Sequence, residues 1–394
     1  MNIPSGRSTA LGFLLLPAAV LAAPSPVSIG LDLELGHRPS TSGQAIRRGA
    51  EIAIAEINAA GGVLGGRPLQ AVVRDNRSVP ARGVENVRAF AEVPDLVAVI
   101  GGKFSPVILA ELPLLHELQL PILVAWGAAD PIIDNEFSPS YAFRLSARDS
   151  WVMQVMLREA TRRGLKRVGL LLPNTAWGRS NEAAAEAHLA KGKGPAVAGI
   201  RWHNWGVKSL VDDYQVLRRA GAEAIVLVTN EAEGAVLVRE VASLPEAERL
   251  PLISHHGLAG GDFPQLAGAA LHEVDLTVVQ FFGFAAPAGP RATRLRDAVL
   301  RASGASGPEG IPSAAGVAAA YDLVHLLARA VEHAGSTRRP AVRKALEELG
   351  PYDGAVKRFD RPFTARRHEA LSASDLYLAR YDTRGVLLRV PGAP

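Results

Sequence analysis

The 394-residue chain contains no cysteine. Disulfides, thiolate metal sites, cysteine catalysis and lipid attachment to a cysteine at a processed N-terminus are thereby excluded. A chain of this length does not require disulfide staples, because its cores can be large enough to hold alone. Charge of one sign is not concentrated either: 43 Lys and Arg stand against 39 Asp and Glu, a formal net charge of +4. The cluster Arg366-Arg367-His368 is too small for a nucleic-acid footprint and reads as a solvated face. Beyond the N-terminus no stretch approaches twenty apolar residues, so a freely soluble protein without a membrane span is expected.

What is present begins at the N-terminus. A polar start carrying Arg7 leads into an apolar run over 9–21, and Val20-Leu21-Ala22 places short side chains where a signal peptidase reads. The run is too short for a permanent membrane helix. Residues 1–22 are therefore expected to be a signal peptide, with a mature, periplasmic chain starting at Ala23. Cleavage one residue later would set Pro24 against the scissile bond. The length suggests two domains.

Along the mature chain, β-rich runs at 27–33, 69–73, 96–100 and 121–125 alternate with helical patterns at 43–60, 82–92 and 105–118. In the first helix Ile46, Ala50, Ala53, Ile54 and Ile57 recur at helical spacing, and Gly61-Gly62 ends it. A second run starts near Ser150, with helices at 151–163, 177–190, 210–220 and 231–243 and extended segments at 167–172, 196–201, 224–228 and 252–254. Helices at 291–302 and 313–334 follow, and the tail ends in a strand pair at 375–381 and 386–390. The pattern is α/β with largely parallel sheets flanked by helices.

Gly43-Gln44-Ala45-Ile46-Arg47-Arg48-Gly49-Ala50-Glu51, followed by Ile57-Asn58-Ala59-Ala60-Gly61-Gly62-Val63-Leu64-Gly65-Gly66-Arg67-Pro68-Leu69, resembles the leucine/isoleucine/valine-binding group of periplasmic solute-binding proteins. The likeness continues through Val99-Ile100-Gly101-Gly102, Tyr141-Ala142-Phe143-Arg144 and Ala176-Trp177-Gly178-Arg179 and covers nearly the whole mature chain. It implies a two-lobed type I periplasmic binding protein fold with a three-crossover hinge, the crossovers falling near Leu145, Phe282 and Tyr352. The expected lobes are 23–145 with 283–352, and 146–282 with 353–394. The implied partners are a small-molecule ligand and the inner-membrane permease subunits of an ATP-binding-cassette importer, with the binding protein itself a monomer and no cofactor.

The chemistry of the cleft starts at Gly101-Gly102-Lys103-Phe104-Ser105-Pro106, where a strand ends and a helix begins. Unpaired amides and the positive end of the helix dipole suit a carboxylate, with Ser105 expected at the N-cap. The resemblance implies that Ser105 binds that carboxylate, that Ala128 keeps a backbone contribution while Ala129, where a threonine is usual, leaves one hydroxyl donor missing, and that Trp177 closes over the ligand. Asn230 falls near another family contact, and Phe104, Trp126 and Phe281 complete the expected wall. His256 stands where amino-acid binders usually place a glutamate, and Ser42 replaces a common aromatic. Imidazole is a poor partner for an ammonium. The carboxylate half of the site thus looks retained and the ammonium half lost, unless Asp130 or Glu231 restores it. A small organic or aromatic acid is the expected ligand. A branched-chain or other amino acid, or a ligand-sensing role for a membrane receptor, is the alternative.

An enzyme is not expected. No Gly-x-Ser-x-Gly elbow accompanies Ser105, His256 and Asp130. Adjacent His255 and His256 would point to opposite faces of a strand and so would not form a two-ligand metal site. Gly61-Gly62 and Gly65-Gly66 follow a helix rather than precede one, unlike a dinucleotide-binding loop.

Overall fold

A computed structural model describes Met1 and residues 24–36, 41–192, 194–287 and 289–392, so the signal-peptide expectation for 1–22 lies almost wholly outside the described residues. The first sheet is built from β1 (Val27–Leu33), β2 (Leu69–Asp75), β3 (Leu96–Gly101), β4 (Ile122–Val124) and β5 (Ala142–Arg144), joined through α1 (Thr41–Ala59), α2 (Pro80–Ala91) and α3 (Ser105–Glu117). Its order is β2-β1-β3-β4-β5, all parallel. Parallel strands covered by helices on both faces read as continuous apolar runs, and every residue of β1 and β3 is buried.

The chain then enters a second unit: α4 (Asp149–Arg162), β6 (Arg167–Pro173), α5 (Ala176–Leu189), β7 (Ala196–His203), α6 (Val211–Arg219), β8 (Ala224–Leu227), α7 (Glu231–Ala242), β9 (Leu252–Ser254), α8 (Phe263–Ala267) and β10 (Leu276–Gln280). It returns to the first unit through α9 (Pro290–Ser303), α10 (Ala314–Ala334) and α11 (Arg339–Glu347) and makes a small hairpin, β11 (Tyr352–Asp353) with β12 (Arg358–Phe359). Finally β13 (Tyr377–Tyr381) and β14 (Leu387–Arg389) add antiparallel strands to the second sheet, whose order is β14-β13-β10-β9-β8-β6-β7.

The helical spacing read in α1 becomes a buried stripe: Ile46, Ala50, Ala53, Ile54 and Ile57 all face the core. They pack on α10, where a Cβ on Gly49 would lie 2.1 Å from the Val317 carbonyl, so only glycine allows this approach. By length and composition α10 is apolar enough to cross a membrane, contrary to the expectation of no such stretch. Its apolar surface is spent on the core instead, from Ala315 through Val331.

The last crossing lies later than Tyr352. Residues 352–359 stay on α10, with Tyr352 Oη and the Ala355 and Val356 amides donating to Asp322. Further on, Arg144 and Glu369 form a parallel bridge to β5, and the Phe363 and His368 rings pack on Phe143. Residues 353–370 therefore belong with the first sheet, and the expected lobe boundary at 352/353 is corrected. The backbone pairing at Arg144 supplies the physical reason.

Arg144 is fully buried. Its Nε and Nη2 donate to Glu369, and its Nη1 donates to the Gly127 and Ala129 carbonyls. One guanidinium thus fixes β5, the returning chain and the loop after β4. Removing one partner of a buried pair strands the other charge, at a cost of about 3–5 kcal/mol. Glu369→Ala should lower stability by that amount in denaturant melts; a loss below about 1 kcal/mol would show that the pair does not hold this junction.

Candidate functional site

The first wall of the interlobe cleft is the β3–α3 connection. Phe104, not Ser105, is the N-cap of α3, and no side chain caps the helix. Ser105 is the first helical residue. Its Oγ accepts the Ala128 and Ala129 amides, each at 3.2 Å, so the hydroxyl ties α3 to the loop after β4. A hydroxyl has two acceptor sites and one hydrogen. With both acceptor sites engaged, the Ser105 hydrogen is left as the donor.

The amides expected to be unpaired are taken. Glu34, just past β1, accepts the Lys103 and Phe104 N–H groups at 2.9 and 3.0 Å. Burial drives its carboxyl up to about 7, against the pull of those amides. Lys103 is buried and ion-paired with Glu231 at the start of α7, in the other lobe.

The second wall carries a fixed polar core. Asp149 Oδ1 accepts Trp177 Nε1 at 3.1 Å and His255 Nε2 at 3.0 Å, while His255 Nδ1 accepts the Gly257 amide at 3.0 Å. That bonding assigns the His255 proton to Nε2 and makes the ring neutral. Burial pushes His255 down to about 3 and Asp149 up to about 6. Trp177 lines the cleft with its N–H already committed, rather than free for a ligand. The two histidines follow β9 instead of lying on it, and their rings sit 4.3 Å apart, correcting the expectation of opposite faces. Among the described residues no cluster of three His, Asp or Glu could hold a metal ion.

Of the expected site residues, Phe104, Ser105, Trp126, Ala128, Trp177, Asn230 and His256 line one cleft. Ala129 is fully buried behind it, and Phe281 backs the His256 ring at 6.0 Å. Ser42 does not open room for a ligand: its Oγ meets Ser313 Oγ and accepts the Gly261 amide across the lobes. Asp130 is turned away, accepting from Arg148 and Ser150, so Ser105, His256 and Asp130 form no relay. The sequence reading missed Trp205, which lines the cleft and packs edge-on against Phe104 at 4.6 Å.

The lobes are closed on each other. Besides Lys103–Glu231, the Asp130 amide donates to Ser180 and Gly261 to Ser313. A Cβ on Gly260 would fall 2.4 Å from Lys103 Nζ, so a side chain there would push the lysine out of its pair. The cleft keeps about 10 Å³ of free space, room for about one water. Anything larger requires the lobes to part. Several buried polar atoms on the lining residues have no hydrogen-bond partner among the described residues: Trp126 Nε1, Trp205 Nε1 and both ring nitrogens of His256. Such groups are uncommon in folded proteins, and each calls for an explanation.

The chain belongs to the periplasmic binding protein family, whose model matches residues 26–385. It is 24% identical over 348 residues to a Leu/Ile/Val-binding protein homolog of Brucella abortus, covering 85% of this chain and 87% of that one. Its fold is similar to a periplasmic binding protein type 1 from Bordetella pertussis (TM-score 0.81, 22% identity, 93% of this chain and 100% of that one). It is also similar to a solute-binding protein of an ABC transporter from R. palustris in complex with benzoate (TM-score 0.77, 18% identity, 93% and 96%).

Two consequences follow from the walls. Glu34 has a folded-state value above its unfolded one, so its contribution to stability is complete below about pH 4.5 and is lost as pH rises through about 7. The melting temperature of wild type relative to Glu34→Gln should therefore fall between pH 4.5 and 7.5; a constant difference would place the ionisation elsewhere. Glu231→Gln leaves the Lys103 ammonium unpaired in the closed form, so the open form should gain population and small-angle scattering should show a larger radius of gyration. The double variant Lys103→Met/Glu231→Leu, with no buried charge, should return to the compact value.

Proposed function

We propose that the chain is the periplasmic solute-binding component of an ATP-binding-cassette importer, taking a small carboxylate-bearing metabolite, an organic or aromatic acid, between its lobes. The observation that carries this is the Ser105 hydroxyl, held by the Ala128 and Ala129 amides so that its hydrogen is available at the positive end of α3. Trp126, Trp177 and the Phe104–Trp205 pair offer flat apolar walls for the ligand body. Among the described residues no aspartate or glutamate lines the cleft to offer an ammonium its counter-charge. Benzoate, the ligand named for the R. palustris protein, has this combination of one carboxylate and an apolar ring.

Amino-acid binding, suggested by the name of the Brucella relative, is the second reading, and Glu231 favours it. Its carboxylate borders the cleft residue Asn230 and would be freed if the Lys103 pair opened. A ligand that binds only the folded form raises its melting temperature. In a thermal-shift screen, benzoate-type or aliphatic acids should raise the melting temperature, and leucine, isoleucine and valine should not. Ser105→Ala should weaken the best acid about ten- to a hundredfold, the loss of a hydrogen bond to a charged group worth about 1.5–3 kcal/mol. Tight leucine binding with no response to any acid would reverse the choice between the two readings.

A further inference from the structure

His256 is 1% exposed and lines the cleft between the lobes. The Trp126 carbonyl lies near its ring, yet neither ring nitrogen makes a hydrogen bond of acceptable geometry. The ring is framed by other rings: His255 at 4.3 Å, Trp126 at 5.9 Å and Phe281 at 6.0 Å. His255 cannot serve it, because both of its nitrogens are committed to Asp149 and Gly257. A buried polar group left in this condition opposes folding, so its retention in a cleft points to a partner that arrives from outside.

The surroundings keep the imidazole neutral. Deep burial is the main cause, disfavouring a positive charge on it; His255 and, least, Lys103 act in the same direction, while Asp149 and the Trp126 carbonyl oppose them without outweighing burial. A neutral imidazole presents one N–H donor and one acceptor nitrogen. An ammonium can only donate, needs a counter-charge that the cleft lining lacks, and would lie close to Lys103. A second carboxylate can only accept. A hydroxyl does both and carries no charge, and its spare lone pair can also accept from the unpartnered Trp126 or Trp205 indole.

We infer that the ligand presents a hydroxyl to His256, so that the cleft selects hydroxylated carboxylic acids over their amino and unsubstituted counterparts. This rests on the carboxylate reading above and adds the second polar group of the ligand. A buried polar site discriminates strongly against an analogue that lacks the matching group, because the site is then left unpaired.

The test is calorimetric titration of the full-length mature protein with matched acids. One set is benzoate and its monohydroxy isomers; the other is 3-phenylpropanoate, 3-phenyllactate and phenylalanine, which differ only in carrying hydrogen, hydroxyl or ammonium beside the carboxylate. In wild type at least one hydroxy acid should bind about tenfold or more tightly than its unsubstituted parent. His256→Phe should bring that ratio close to one, and His256→Gln, which keeps a donor and an acceptor, should retain a preference. Should the phenylalanine variant not fold, the wild-type ratio and the glutamine variant still decide. Parents that match every hydroxy acid, or a preference that survives His256→Phe, would overturn the inference alone. Binding of no acid in either set would overturn the carboxylate reading, and this inference with it.

Discussion

The buried guanidinium of Arg144 constrains both the fold and the site. Its donors reach Glu369 on the returning chain and the carbonyls of Gly127 and Ala129 on the loop after β4. That loop presents its amides to Ser105, and the chain leaving β5 clamps it from the other side: Ser146 Oγ donates to the Trp126 carbonyl and the Asp149 amide to Ala128. The Ser105 hydroxyl, the Trp126 wall and the first crossing between lobes are thus positioned by one connected set of buried bonds. Rigid placement of this kind is what a binding site requires, since a loosely held donor loses orientation before it gains affinity.

Against that rigid wall, the ion pair Lys103–Glu231 and hydrogen bonds through Ser42, Ser180 and Ser313 cross between the lobes near the cleft, with Arg148 pairing to Asp130 at the crossover. Each is a small contribution, so a ligand that supplies a few bonds of its own can bias an equilibrium between open and closed forms. Glu34 sets a limit on the anion site. It already holds two amides at the start of α3, so the proposed ligand carboxylate would depend on the Ser105 hydroxyl and the helix dipole rather than on a full nest of amides.

Much of the architecture was legible because it is written in local periodicity. The buried stripe of α1, the apolar runs of β1 and β3 and the glycine stop at Gly61-Gly62, both with positive φ, need only near neighbours to be read. β10 and α11 were not read: in Leu276–Gln280 the polar Thr277 and Gln280 interrupt the apolar run, and α11 is a short charged helix whose apolar face is only Val342, Ala345 and Leu346. Residue types at the cleft could be named from the resemblance, but their partners could not. Glu34 meets Phe104 across 70 positions and Lys103 meets Glu231 across 128, and nothing in the sequence announces either pair. Those long-range pairs changed the chemistry, taking up the amides and tying Lys103 to the opposite lobe. Trp205 shared this difficulty, since it sits beyond β7 in a segment with no pattern of its own.

The central claim is that a carboxylate binds at Ser105 between the closed lobes. A crystal structure of the protein with its best-bound acid tests it most directly. The account predicts closed lobes with a carboxylate oxygen at about 2.5–3.0 Å from Ser105 Oγ. The acid lying instead in the neighbouring chamber of about 170 Å³ lined by Trp126, Gln280 and Phe282, with Ser105 still bound only to Ala128 and Ala129, would contradict it.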